Sequence, residues 1–147
     1  MPSGGELNAS ARIRIVIADD HPAFRDALQH VIDAQPDMTV VAAVGDGDAA
    51  LDVIRRLNPG VAVLDVRMPG LDGIEVARRV ANEQLRARTV IVTMHSERVV
   101  FERAIAAGAS GYLPKDTALL DVVGAVRTVA RGEMYVRPAW RDDLDTR

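Results

Sequence analysis

Five polar side chains stand out because each ends or closely follows a short apolar run. Asp19 and Asp20 follow residues 13–18, Asp65 ends the run 61–65, Thr93 ends 89–93, and Lys115 comes just after 111–114. Lys115 is the single lysine in a chain with 18 basic residues, the rest being arginine. A compact ammonium in place of a wide guanidinium fork suits a crowded site. Two carboxylates about 4 Å apart repel by about 4 kcal/mol at an effective dielectric near 20. A third carboxylate raises that cost, and carboxyl pKa values climb unless a cation intervenes. Oxygen ligands with open positions suit Mg²⁺, which keeps several waters and pairs with phosphate oxygens. A carboxylate such as Asp65 can attack phosphorus as a nucleophile, and Lys115 and the Thr93 hydroxyl can receive the phosphoryl oxygens.

Taken singly, most of these residues have ordinary readings. Asp20 reads as a helix N-cap, Thr93 as a β-former and Lys115 as a solvated cation. Asp65 resists such a reading. It follows Val61-Ala62-Val63-Leu64 directly, where an isolated carboxylate is costly. The joint arrangement, drawn from four parts of the chain, carries the functional reading.

The elements that must position them follow from alternation. Short β-branched runs at 13–18, 39–44, 61–65, 89–93 and 111–114 read as strands. Helical spacing marks 22–34, 48–57, 74–85, 99–107 and 117–131, with Asp20, Asp48 and Thr117 as expected N-caps. Strands apolar on both faces and alternating with helices predict a doubly wound, five-stranded parallel sheet of flavodoxin-like order 2-1-3-4-5, helices on both faces. Pro114 fits a fifth strand at the edge. In such a sheet, ligands bind beyond the carboxyl ends of the strands, where all five residues fall. The fifth helix is apolar on more than one side (Leu119, Leu120, Val122, Val123, Val126, Val129). That reads first as a wide core-facing stripe, second as a dimer or interdomain surface.

Composition narrows the classes. The 147 residues predict one domain at 12–132, a disordered tail at 1–11 and a tail or linker at 133–147. Zero cysteines exclude thiol catalysis, disulfides and cysteine zinc sites. A formal charge of −3 argues against a basic nucleic-acid footprint. With no membrane-length apolar run and no signal-peptide pattern, a cytoplasmic protein is expected. His21, His30 and His95 lack ligand-like spacing and read as ordinary loop or helix positions.

Together these residues resemble the receiver domains of two-component response regulators over residues 12–131. Two stretches resemble the NarL/FixJ branch in particular: Asp19-Asp20-His21-Pro22-Ala23-Phe24-Arg25 and Ala107-Gly108-Ala109-Ser110-Gly111-Tyr112-Leu113-Pro114-Lys115-Asp116. The resemblance implies Asp65 as phosphoacceptor and a Mg²⁺ site of Asp19, Asp20, Asp65 and the Arg67 backbone carbonyl. It implies Thr93 and Tyr112 as a switch pair, with Lys115 on the phosphoryl group. Arg67, Met94 and His95 would flank the site. A histidine kinase would be the donor, and the domain would be no enzyme beyond catalysing its own phosphorylation and dephosphorylation. A homodimer would use the fifth helix or the face of fourth helix, fifth strand and fifth helix. Two features depart from the family. Asp116, where much of the family has proline, follows Lys115. The LuxR-type DNA-binding domain that normally follows is not expected within 133–147, so DNA binding would need a further domain. The alternative is a stand-alone or phosphorylation-independent receiver acting as an interaction module.

Two other classes fit less well. Gly45-Asp46-Gly47-Asp48-Ala49-Ala50 matches a dinucleotide-binding glycine pattern. It follows the second strand rather than the first, and its aspartates would repel a pyrophosphate. A phosphatase of the haloacid-dehalogenase type needs a second acid two residues after its nucleophile, where this chain has Arg67.

Overall fold

The computed structural model describes residues 12–94 and 97–136. The tail expected at 1–11, most of that expected at 133–147, and His95 lie outside the described residues. The strands are β1 (Ile13–Ala18), β2 (Met38–Val44), β3 (Val61–Asp65), β4 (Arg88–Thr93), β5 (Gly111–Pro114) and β6 (Tyr135–Val136). The helices are α1 (Pro22–Asp33), α2 (Gly47–Leu57), α3 (Gly73–Asn82), α4 (Arg98–Ala106) and α5 (Ala118–Ala130). Sheet order is β2-β1-β3-β4-β5-β6, every pairing parallel. The predicted order 2-1-3-4-5 holds, with one strand more than expected. β6 escapes periodicity because two residues show no alternation. It forms where the chain turns at Gly132 and Tyr135 donates its N–H to the Ser110 carbonyl (2.9 Å). β5 is therefore covered along Gly111 and Tyr112, while Pro114 lies beyond β6.

Period-2 alternation splits the core into two layers. Ile15 and Ile17 of β1, Val61 and Val63 of β3, Val90 and Val92 of β4, and Leu113 of β5 pack against α1 and α5. Val16, Ala18, Ala62, Leu64, Ile91 and Tyr112 face the layer of α2, α3 and α4. Continuing that alternation past the strand ends decides where the polar residues go. Ala18 pairs with Leu64, so Asp19 and Asp65 follow side by side, both with the parity of the α1/α5 layer. Lys115 shares the parity of Leu113.

Helix starts differ from expectation where several residues could cap. α1 starts after His21 with no side-chain cap, because the Asp19 carboxylate, not Asp20, takes the His21 N–H (2.8 Å). Asp46, not Asp48, caps α2, accepting the Ala49 N–H at 2.7 Å. Thr117 holds the cap position of α5, but its buried hydroxyl makes no hydrogen bond. On α5, Val122, Ala125, Val126 and Val129 are core residues, whereas Leu120 is 86% exposed. No helix among the described residues is long and apolar enough to cross a membrane.

The Asp65 strand and α3 pack too closely for a side chain between them. A Cβ on Gly73 would run into the Asp65 carbonyl, whereas one on Gly124 of α5 would meet nothing within 4 Å. We expect Gly73→Ala to lose at least about 2 kcal/mol of stability in urea unfolding. Gly124→Ala should gain about 0.5–1 kcal/mol by helix propensity.

Candidate functional site

β1 and β3 deliver two carboxylates into the buried rim of the sheet, and β5 delivers the cation that meets them. Asp19 is 1% exposed and Asp65 4%. Lys115, 9% exposed, reaches Asp19 Oδ1 at 3.2 Å, Asp65 Oδ2 at 3.4 Å and His21 Nδ1 at 2.9 Å. An ammonium has three N–H donors, and three acceptors surround this one. Its position is fixed from the side by the Phe24 ring, whose centroid lies 4.7 Å from Nζ. The Arg25 guanidinium donates to the Asp19 carbonyl at 2.9 Å and so ties α1 to the end of β1. The Lys115–Asp116 bond is trans, as are all peptide bonds among the described residues.

One ammonium between two buried carboxylates leaves the pocket short of positive charge. Burial, and after it the Asp19 charge, pushes the Asp65 carboxyl from an ordinary 3.8 up to about 6, although Lys115 pulls the other way. Asp20 stands at the mouth, its side chain about a third exposed and its Oδ1 3.2 Å from His21 Nδ1. The donor atoms of Asp19, Asp20, His21 and Asp65 all lie within 4.8 Å of one another. Asp19 Oδ2 is buried and accepts no hydrogen bond, though it lies 3.1 Å from the Lys115 ammonium. A mainly oxygen donor set, an orphaned buried carboxylate oxygen and an excess of negative charge fit a hard divalent cation such as Mg²⁺.

Beside this cluster is a cavity of about 140 Å³ lined by His21, Asp65, Arg67, Thr93 and Met94. It joins Asp65 to three further residues singled out in the sequence: Thr93 is buried, Arg67 is exposed and Met94 is 71% exposed. A wider pocket of about 470 Å³, lined by His21, Ala23, Phe24, Met94, Lys115 and Asp116, opens next to it.

Tyr112 is not in the acidic cluster. It sits on the other face of the sheet, fully buried, with its ring edge-on to Phe101 (centroids 5.2 Å, interplanar angle 81°). Burial, then the Glu97 charge, pushes its hydroxyl up to about 12. A tyrosine on a short edge strand would ordinarily be half-buried. β6 and α4 enclose it instead, through Val136 and Phe101 in the same core layer. His21 was read as an ordinary loop position, yet its ring nitrogen stands among the carboxylates. Its place directly after the aspartate pair was the available signal.

A family model for the response regulator receiver domain matches residues 15–127. The chain is 38% identical over 128 residues to the Mycobacterium tuberculosis protein named "Probable transcriptional regulatory protein NarL", an alignment covering 87% of this chain and 59% of that one. It is 41% identical over 127 residues to the transcriptional regulatory protein YxjL of Bacillus subtilis, covering 86% of this chain and 58% of the relative. The chain thus spans about three-fifths of the length of these curated relatives. Among solved structures, the signal receiver domain of M. tuberculosis NarL superposes with a TM-score of 0.81 at 38% identity, covering 83% of this chain and 98% of that one.

The raised Asp65 carboxyl sets a stability signature. Its folded pKa exceeds the unfolded value, so charging it costs stability; the cost is absent below about pH 3.8 and full above about pH 6. We expect Asp65→Asn in EDTA to be more stable than the parent at pH 7.5, by on the order of 1 kcal/mol. The gain should vanish by pH 4, as read by urea unfolding at both pH values.

Proposed function

The chain belongs to the response regulator receiver domain family, and from that premise we propose that it takes a phosphoryl group from a histidine kinase onto Asp65. The observation that carries this reading is a buried carboxylate facing the cavity shared with Thr93, with the Lys115 ammonium 3.4 Å from its Oδ2. One Asp65 carboxylate oxygen attacks phosphorus as the bond from phosphorus to the donor nitrogen breaks, giving an acyl phosphate on Asp65 and a free donor imidazole. Lys115 moves from shared contact with Asp19 and Asp65 to the new phosphoryl oxygens. The Thr93 hydroxyl donates to another. Asp19, Asp20, Asp65 and the Arg67 carbonyl would hold Mg²⁺, which supplies positive charge to the transferring phosphoryl oxygens. The domain's chemistry is confined to its own acyl phosphate, formed and hydrolysed in place. Arg67 and Met94, which line the cavity beside Asp65, would set how water reaches that phosphate, a role the resemblance also implies for His95.

The added charge, about −1.5 to −2 for an ordinary phosphoresidue, would draw Thr93 toward the phosphoryl group. Tyr112, buried against Phe101, would then repack, altering the surface of α4, β5 and α5. That surface, or α5 with its exposed Leu119 and Leu120, is the proposed homodimer contact. We assign the receiver domain to residue 12 through β6, past the expected boundary at 132 because Tyr135 and Val136 join the sheet, and the remainder of 133–147 to a tail or linker. We place the protein in the cytoplasm as part of a regulator whose LuxR-type DNA-binding output controls transcription. Support comes from relatives that are transcriptional regulators longer than this chain.

Incubation with Mg²⁺ and acetyl phosphate should add one phosphoryl group by intact mass. The adduct should be absent in Asp65→Asn and absent in EDTA. An unmodified parent that also fails to bind beryllofluoride would overturn the reading in favour of a phosphorylation-independent interaction module.

A further inference from the structure

The opposite end of the sheet carries the reverse charge pattern. A pocket of about 370 Å³ there is lined by Arg12, Arg14, Arg86 and Arg88, with Gly60 between them. Arg12 and Arg14 lead into β1 and Arg86 and Arg88 into β4, with the start of β3 between them; the Arg14 guanidinium turns to the end of α2 and the Arg88 guanidinium to Gly132 beyond α5, so the arginines are spread across the end of the sheet. Gly60 donates its N–H to the Arg14 carbonyl (2.9 Å) and accepts the Arg88 N–H (3.0 Å). With no side chain at Gly60, the floor of the notch is backbone. A Cβ there would find no heavy atom closer than 3.8 Å.

Of the other described arginines, all but Arg25 and Arg67 meet a carboxylate. Arg55, Arg56, Arg78, Arg79, Arg98, Arg103, Arg127 and Arg131 each pair with a carboxylate. Among the described residues, none of the four pocket arginines does. This is a chain with 21 acidic residues and a net charge of −3, so acids are not scarce. Four arginines that line one pocket without a counter-charge repel one another unless an anion joins them. Helix C-termini, with their partial negative charge, explain only part of the cluster. Arg14 donates to the Leu57 carbonyl at the end of α2 (2.7 Å). Among the described residues, Arg12, Arg86 and Arg88 have no such bond.

We propose that this pocket binds a small multivalent anion made of linked phosphates, on the face of the domain away from Asp65. The guanidinium fork matches phosphate oxygens bidentately, and forks from two sides suit a short run of phosphates better than one. The volume lies at the small-molecule end of ligand pockets, and the acidic balance of the whole chain disfavours a nucleic-acid duplex. An inorganic polyphosphate and the phosphate tail of a nucleotide share this chemistry.

Calorimetric titration in EDTA tests it, since EDTA removes any metal-bridged phosphate binding at the acidic site. The probes are tripolyphosphate, ATP and orthophosphate. The variants are Arg86→Ser/Arg88→Ser and, as a control of equal charge, Arg56→Ser/Arg98→Ser. All four positions are solvent-exposed, and circular dichroism verifies the fold. The expected result is saturable one-site tripolyphosphate binding that weakens at least about tenfold in the pocket variant and less than about twofold in the control. ATP matching tripolyphosphate would identify a nucleotide; tripolyphosphate alone, an inorganic chain. Equal weakening in both variants, binding no stronger than orthophosphate, or no saturable binding would sink the proposal.

Discussion

Asp19 and Asp65 stand side by side at the buried end of the sheet, and a single ammonium lies between them. Those contacts span 96 and 50 residues of sequence. They exist only if β1, β3, β4 and β5 lie in order and in register. The pocket is nonetheless left net negative, and the raised Asp65 carboxyl is the measure of it. The fold therefore holds a local charge imbalance that a well-packed structure would otherwise relieve, with Phe24 and Arg25 of α1 bracing the lysine and the aspartate backbone. Strain of this kind, imposed by long-range packing, is what makes a cation and a phosphoryl group welcome there.

Because side chains alternate along a strand, the sheet separates chemistry from readout. Asp19, Asp65 and Lys115 continue the alternation that faces α1 and α5. Thr93 has the parity of Ile91, which faces α2, α3 and α4, and Tyr112 faces that same layer. Thr93 meets both sides, lining the cavity beside Asp65 while sharing the face of the tyrosine two register positions back. A charge change on one face thus has a short covalent and packing route to the other through β4 and β5.

Much of this is legible in the sequence alone. β3 and β5 were read with their observed limits, because Val61-Ala62-Val63-Leu64 and Gly111-Tyr112-Leu113-Pro114 are bounded by breakers on at least one side. The rim residues were legible for the same reason: a polar residue ending an apolar run marks a strand end. What escaped was decided by three-dimensional neighbours. Asp46 and Asp48 flank Gly47 with equal capping chemistry, and only the backbone at Asp46, extended before the helix, selects it. Asp20 caps nothing, because α1 starts one residue later, after His21, whose N–H is taken by the Asp19 carboxylate. Tyr112 became fully buried because Phe101 and Val136 arrive from elsewhere. His21 became part of the site through contact with Lys115, which no spacing rule encodes.

Both margins of the sheet are blocked at particular positions by the chain's own atoms. At one margin, the two residues of β6 cover Gly111 and Tyr112, and past their reach stands Pro114, which has no N–H to offer. At the other, the Val40 N–H of β2 is spent on the Asp33 carboxylate at 2.9 Å. An open row of backbone donors and acceptors invites a neighbouring molecule to add a strand, the route to polymerisation and fibrils. Here that route is interrupted at Val40 on one side and at Pro114 on the other, which disfavours edge-to-edge pairing relative to contacts through helix faces and side chains, and such contacts can be made and released without remodelling the sheet.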